Sequence, residues 1–389
     1  MNPIVQIILF TLALATAVPC IAQASNTLPG LSLTTPDRLQ DPGWWPTKGD
    51  PAANAYVGEA ACAQCHAGIT ATQHETPMYH AATRPAQSTI LAQHPSLTFH
   101  EGHYTETIQQ TASGTTFAAS DGTNSDSKPI AWAIGQGEGE VGQTYLLKDH
   151  DQYTESRFSY YTALHAPDIT TGQSADTPSD LQKALGNALK TDAAQHCLSC
   201  HTTQAVVAGN FQPEKAIPGI TCEACHGPGA KHVAAITAGR LDQAAATITN
   251  PASMSPTDSV DFCGACHRTS SDVNLLLPPN MGIVVARFQP YRLEQSHCWG
   301  QSGDQRITCI ACHDPHKPLV RELAAYDAKC LACHRTALHS QPHATAPMCK
   351  VATQNCASCH MPKYEIPQTH AAFTDHEIRI VRARNSFPQ

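Results

Sequence analysis

One five-residue pattern recurs seven times along the chain: CAQCH at Cys62, CLSCH at Cys197, CEACH at Cys222, CGACH at Cys263, CIACH at Cys309, CLACH at Cys330 and CASCH at Cys356. Two thiols three residues apart, followed at once by an imidazole, suit one chemistry. The thiols add to the two vinyl groups along one edge of a haem, and the histidine then coordinates the iron from one face. The thioether residues would be Cys62, Cys65, Cys197, Cys200, Cys222, Cys225, Cys263, Cys266, Cys309, Cys312, Cys330, Cys333, Cys356 and Cys359. The proximal iron ligands would be His66, His201, His226, His267, His313, His334 and His360. Zinc also binds paired Cys-x-x-Cys units, but it needs the units in twos and has no use for a histidine after each. The number of units is odd and every one ends in His. The expected cofactor is haem c, seven copies, covalently attached.

The spacing of the units divides the chain. Six lie between Cys197 and His360, roughly 27 residues each, too few to bury a core of their own. The porphyrins must then serve as the core, and only 14% of residues are charged against the usual quarter or so. Residues 171–389 are read as a six-haem domain and 56–96 as the region of the first motif. Between them, 97–170 alternates apolar and polar residues in stretches such as LTFHEGHYTETIQQ and QTYLLKDHDQY, which predicts a small antiparallel β-rich unit. The expected fold class is mainly α, sparse in secondary structure and organised around packed haems, with that β unit added (α+β). GEGEVG, with Gly137, Gly139 and Gly142, matches a dinucleotide-binding pattern, but a strand-like stretch follows it and its glutamates would repel a pyrophosphate. It reads as a hairpin turn.

Residues 1–24 carry no charged side chain and end in Ala22-Gln23-Ala24, which reads as a secretory signal peptide with a small-x-small cleavage site. Residues 25–55 form an extended Pro- and Gly-rich lead-in. No later stretch reaches the ~20 apolar residues of a spanning helix, so no transmembrane span is expected after signal removal. The location expected is the periplasm or cell surface, where c-type haem is attached. A formal charge of −8 without a Lys/Arg cluster argues against nucleic acid as a partner.

A low-spin haem needs a second axial ligand, and its identity sets the potential. His316 follows His313 by three residues and His232 follows His226 by six, too close to reach round the edge of their own discs. Each is expected to serve a neighbouring haem. His80 and Met78, in HETPMYHAA, are further candidates, and methionine would raise that haem's potential. His370 and His376 stand far enough after His360 for at least one to reach an earlier iron. Cys298 and Cys349 remain as an even pair in an oxidising compartment, which predicts a disulfide.

YVGEAACAQCHAGITATQHETPM, CEACHGPGAKH, RFQPYRLEQSHCW, CIACHDPHKPL and NCASCHMPK with FTDHEIRI together resemble exported multihaem cytochromes of the cytochrome c-554 type, across most of Tyr56 to Val381. The resemblance implies distal ligands at His232, His370 and His376. It also implies a histidine where this chain has Gln173, so one iron could lack a ligand.

The function expected is that of a heptahaem c-type cytochrome carrying electrons between redox protein partners, with ligation between chains as a route to an oligomer. The alternative is an oxidoreductase acting on a small nitrogen or sulfur oxyanion at one open haem, served by basic residues such as Arg287, Arg292, Arg306 and Lys363. A pyridine haemochrome assay of the exported protein should give seven haems per chain; a lower number would sink the heptahaem reading.

Overall fold

The computed structural model describes residues 55–135, 141–207, 210–278, 281–296, 298–299, 307–334, 349–382 and 387. The expected signal peptide, the lead-in up to residue 54, Gly137, Gly139, His297, Arg306, His339 and His343 lie outside them.

The strands in chain order begin with β1 (Ala82–Thr83), β2 (Ser96–Glu101), β3 (Tyr104–Thr111), β4 (Gly114–Ser120) and β5 (Ser125–Ile134). They continue with β6 (Gly142–Asp149), β7 (Gln152–Ser156), β8 (Phe158–Tyr161), β9 (Ala166–Ile169) and β10 (Gly186–Leu189). These ten form one antiparallel sheet in the order β10-β7-β6-β5-β4-β3-β2, with β1 on β5 and with β8 pairing both β6 and β9. Alternation builds it: on β3, Tyr104, Glu106 and Ile108 turn inward, and on β4, Thr115, Phe117 and Ala119 do. Gly142 opens β6, which runs antiparallel to β5; Gly137 and Gly139 of the expected hairpin turn lie outside the described residues.

The sheet extends past both ends of the stretch that alternation marked. β1 and β10 are short edge pieces whose pairing with β5 and β7 is made at long range, which local periodicity does not display. Secondary structure is also fuller than the sparse expectation, because strand pairing supplies a core of its own, centred on Ile108, Phe117, Tyr145, Leu147 and Phe158. A second apolar cluster joins Trp132, Leu146 and Tyr153 of the sheet to Ala194 and Leu198 of a helix. The β unit is thereby fastened to the rest of the chain.

The helices are α1 (Glu59–Gln73), α2 (Thr89–Gln93), α3 (Leu181–Leu185), α4 (Thr191–His201), α5 (Cys222–His226), α6 (Ala230–Thr237) and α7 (Leu241–Ala244). After them come α8 (Pro256–His267), α9 (Ser270–Leu276), α10 (Gln289–Glu294), α11 (Cys309–Cys312), α12 (Asp327–His334) and α13 (Cys356–His360). Two-residue strands β11 (Thr202–Thr203), β12 (Val206–Val207), β13 (Asn210–Phe211) and β14 (Ile217–Pro218) lie between α4 and α5, and a hairpin of β15 (Lys363–Ile366) and β16 (Ala371–Thr374) follows α13. Local signals place the helix starts: Ser255 Oγ accepts the Asp258 N–H ahead of Pro256 at the head of α8, and Thr269 does the same for α9. Gly219, at φ 70°, lets the chain pass against the backbone of Tyr79, where a Cβ would meet a carbonyl oxygen at 1.8 Å.

Glu106 is an exception inside the sheet. It is fully buried, neither carboxylate oxygen has a hydrogen-bond partner, and burial, with the nearby Glu101 charge, pushes its pKa up to about 7. The folded state therefore holds this proton above the pH at which the unfolded chain releases it. Stability is full below about pH 4.5, falls as pH rises to about 7 and then stays low, by about 3 kcal/mol from this group. Glu106→Gln should melt higher than the parent at pH 8 and lose that slope. Parallel melting curves for the two proteins from pH 5 to 8 would disprove it.

Candidate functional site

Each of the seven motifs sits on a helical turn. Cys62 to His66 lie within α1, which is kinked at His66 (φ −111°, ψ 33°). The second, fourth and sixth motifs end α4, α8 and α12, the third and seventh are the whole of α5 and α13, and His313 directly follows α11. One turn brings residues i and i+3 to the same face, so both thiols can meet one edge of a planar group with the next imidazole beneath it. These residues fit a haem. Among the described residues no three His, Cys, Asp or Glu side chains converge on a metal-sized point.

The motif helices touch one another: α1 packs on α5, α4 on α8, α8 on α11 and α12 on α13. Cysteines mark these contacts, Cys62 lying against Cys222, Cys200 against Cys266, Cys263 against Cys309 and Cys330 against Cys356. Cys225 lies within electrostatic reach of Cys263 and Cys266, and Cys312 of Cys330. The fourth motif thus touches the second and fifth and lies within electrostatic reach of the third, and contacts or electrostatic reach link all seven motifs.

Two carboxylates fasten neighbouring motifs together. Glu223, inside CEACH and 2% exposed, accepts the N–H groups of Val57 and Gly58 at 2.9 and 2.8 Å and of Gly229 at 2.8 Å. It thus holds the head of α1 against α5. Asp327 at the head of α12 accepts the N–H groups of Asn355 and Cys356, at 2.7 and 2.8 Å, and so caps α13. Those two bonds hold its carboxyl below the usual range. Sequence reasoning passed over both residues. The only local signal was an acidic residue beside a motif cysteine, which does not say whose N–H groups it will meet.

A histidine that donates Nδ1–H to a carbonyl is fixed with its Nε2 lone pair outward, as an iron ligand must be. Nδ1 of His201 meets Ala81 O at 3.0 Å, that of His226 meets Thr249 O at 2.8 Å, and that of His360 meets Arg379 O at 2.8 Å. Two histidines outside the motifs share the arrangement: His232 on Ala244 O and His376 on Thr374 O, both at 2.9 Å. Burial lowers the pKa of His201, His226, His267 and His313, and it pulls His376 down to about 4, so these imidazoles are neutral at pH 7.

Two imidazole pairs stand out. His226 and His316 face each other in parallel, ring centres 5.9 Å apart and planes 8° apart. His313 and His376 have centres 6.3 Å apart, at 42°. With a nitrogen–metal bond of about 2 Å and about 1 Å from nitrogen to ring centre, two imidazoles sharing one metal stand about 6 Å apart. Both pairs have the separation of trans ligands.

The remaining candidates fall elsewhere. His370 (φ 52°) lies at the turn between β15 and β16 and places Nε2 2.8 Å from Asp168 Oδ2 on β9. That nitrogen is engaged, because the hairpin docks on the β unit; Gln368 beside it meets Gly172 N and Thr171 Oγ1. The distal role expected of His370 therefore does not match its placement. His80 is exposed at the edge of the Tyr79 ring, and half-buried Met78 accepts the Ile220 and Ala81 N–H groups through its carbonyl. Gln173 is buried in the β unit, donating to Ser156 O and Glu155 Oε2. Cys349 is an exposed free thiol whose sulfur accepts the N–H groups of Ala352 and Val351, so the expected Cys298–Cys349 disulfide is not formed in this structure. Arg292, one of the basic residues considered for an oxyanion, is fully buried on Asp375 and Glu377.

One family comparison agrees with this chemistry. Residues 150–227, which hold the second and third motifs, match the family described as cytochrome c554 and c-prime. With the motif turns, the match supports a multihaem c-type cytochrome, a class that binds haem c covalently and transfers electrons to and from redox partners. Among solved structures the chain is similar to the outer cell wall cytochrome OcwA, at 20% identity and a TM-score of 0.33, over 55% of this chain. The match takes in 37% of that cytochrome's length. A comparison with curated proteins finds no match. Among the described residues no helix is long and apolar enough to cross a membrane.

His316→Ala should convert one low-spin haem to high-spin without lowering the haem count, whereas His370→Ala should leave every haem low-spin. EPR of the oxidised proteins reads both outcomes, and the reverse pattern would contradict the geometry.

Proposed function

We propose that the protein is an exported heptahaem c-type cytochrome that relays electrons between partner proteins in the periplasm or at the cell surface. The observation that carries this reading is the clustering of the seven motif turns, four pairs of them packed helix on helix and the groups so formed lying within electrostatic reach of one another. Haem supplies the chemistry, a one-electron exchange between ferric and ferrous iron. The chain supplies spacing, axial ligands and burial. Electron transfer slows exponentially with the gap between centres, and motifs whose cysteines lie side by side keep each gap short.

In this reading the fourteen motif cysteines form thioethers and the seven motif histidines are proximal ligands. His316 would hold the iron of His226 from its other side and His376 that of His313, so each second ligand would come from a segment belonging to another motif. His232, with Nδ1 fixed on Ala244 O and within electrostatic reach of His226, is available as a further distal ligand. The formal charge of −8, with two propionates on each haem, favours partners with basic docking faces.

The fourth motif is the junction. Replacing Cys263 and Cys266 by Ala should lower the haem count by one and split the reduction of the remaining haems, followed by stopped flow, into separate phases as the arms lose contact. Unchanged single-phase reduction of six haems would refute the junction. A high-spin ferric signal in the parent that shifts with nitrite or hydroxylamine would point to an oxidoreductase instead.

A further inference from the structure

Arg292 lies on α10, far in sequence from any motif cysteine, yet it is 1% exposed. Its Nε donates to Asp375 Oδ1 at 2.8 Å and its Nη2 to Asp375 Oδ2 at 3.1 Å, a two-point pairing with a carboxylate that is itself 0% exposed. Nη2 also reaches Glu377 Oε2. The two acids flank His376 on either side, so one guanidinium grips the backbone segment that carries the imidazole.

Neighbouring groups complete the grip. Ser296, one turn after Arg292, donates Oγ–H to the His376 carbonyl at 3.0 Å and accepts the Ile378 N–H at 2.8 Å. Asp375 N donates to Pro362 O at 2.9 Å. Arg379 donates Nη1–H to Asp375 Oδ2 at 2.6 Å and Nη2–H to the Tyr364 hydroxyl at 2.9 Å. Its carbonyl receives Nδ1–H of His360, the motif histidine of the seventh unit. The five residues from Asp375 to Arg379 therefore aim two imidazoles, His376 toward His313 and His360 toward its own haem position.

A buried charge needs a pairing of this quality to be tolerated, and removing one partner alone strands the other. An extended terminal segment has no helix to orient its histidine, so an external anchor is required. We propose that Arg292 is a positioning residue that, through its buried pair with Asp375, fixes His376 opposite His313 and His360 at the seventh motif. The proposal rests on His376 being a haem ligand.

The test compares His376→Ala, Arg292→Met, Arg292→Lys and Asp375→Asn as holoproteins, with haem count by pyridine haemochrome and spin state by EPR. His376→Ala should make one haem high-spin. Arg292→Met should show the same new signal with all haems retained, and added imidazole should return it to low-spin by filling the open position. Arg292→Lys should give a smaller high-spin fraction, because an ammonium keeps the charge but cannot make the two-point pairing. Should Arg292→Met fail to accumulate, Asp375→Asn, nearly isosteric, decides the matter through the same signal. If His376→Ala is high-spin while Arg292→Met and Asp375→Asn stay fully low-spin, the positioning role is overturned and the ligand assignment stands. If His376→Ala itself stays low-spin, the ligand assignment falls and the positioning role with it.

Discussion

A haem bound through two thioethers tolerates one local backbone shape, a single turn that turns residues i and i+3 to the same edge with the next imidazole beneath. All seven motifs adopt it, and much of the rest of the fold serves to pack those turns against one another. Helices of five residues such as α5 and α13 are far too short to be stable alone. Neighbours hold them: Asp327 accepts the Asn355 and Cys356 N–H groups at the head of α13, and Glu223 ties α5 to the head of α1 by accepting the Val57 and Gly58 N–H groups. The same bonds that stabilise the turns bring adjacent motifs together.

The β unit has a core of its own and is fastened to the motif helices and the C-terminal hairpin. Its sheet has its own apolar core, yet its far face packs on α4, and Ala81, immediately before β1, accepts the Nδ1–H of His201. The hairpin of β15 and β16 returns to the same unit through Gln368 and His370. The unit thus works as a bracket that meets the second motif and the C-terminal segment. His370 illustrates what this costs a sequence argument: a histidine in the right neighbourhood proves to be a docking contact, since a nearby carboxylate on β9 competes for its nitrogen.

Buried charge appears in two different guises. Arg292 with Asp375 and Glu377 is a well-paired cluster whose geometry orients the segment around it. Among the described residues neither carboxylate oxygen of Glu106 finds a hydrogen-bond partner, and burial pushes its pKa up to about 7. The first holds its shape across the ordinary pH range, and the second makes the sheet respond to pH.

The repeated Cys-x-x-Cys-His units, their number and their expected cofactor chemistry could be read directly from the sequence, because thioether geometry depends only on residues within one turn. Strand alternation from about Leu97 to Tyr161 was legible for the same reason, being a period-two local signal. What the tertiary structure alone decided is which groups meet across long separations. His316 stands opposite His226 instead of any nearer imidazole, His376 stands opposite His313, and Arg292 anchors Asp375 across more than eighty residues of chain. Trans pairing needs two side chains on opposite sides of one plane, a relation set by how helices pack and terminal segments dock, and nothing in local spacing encodes it.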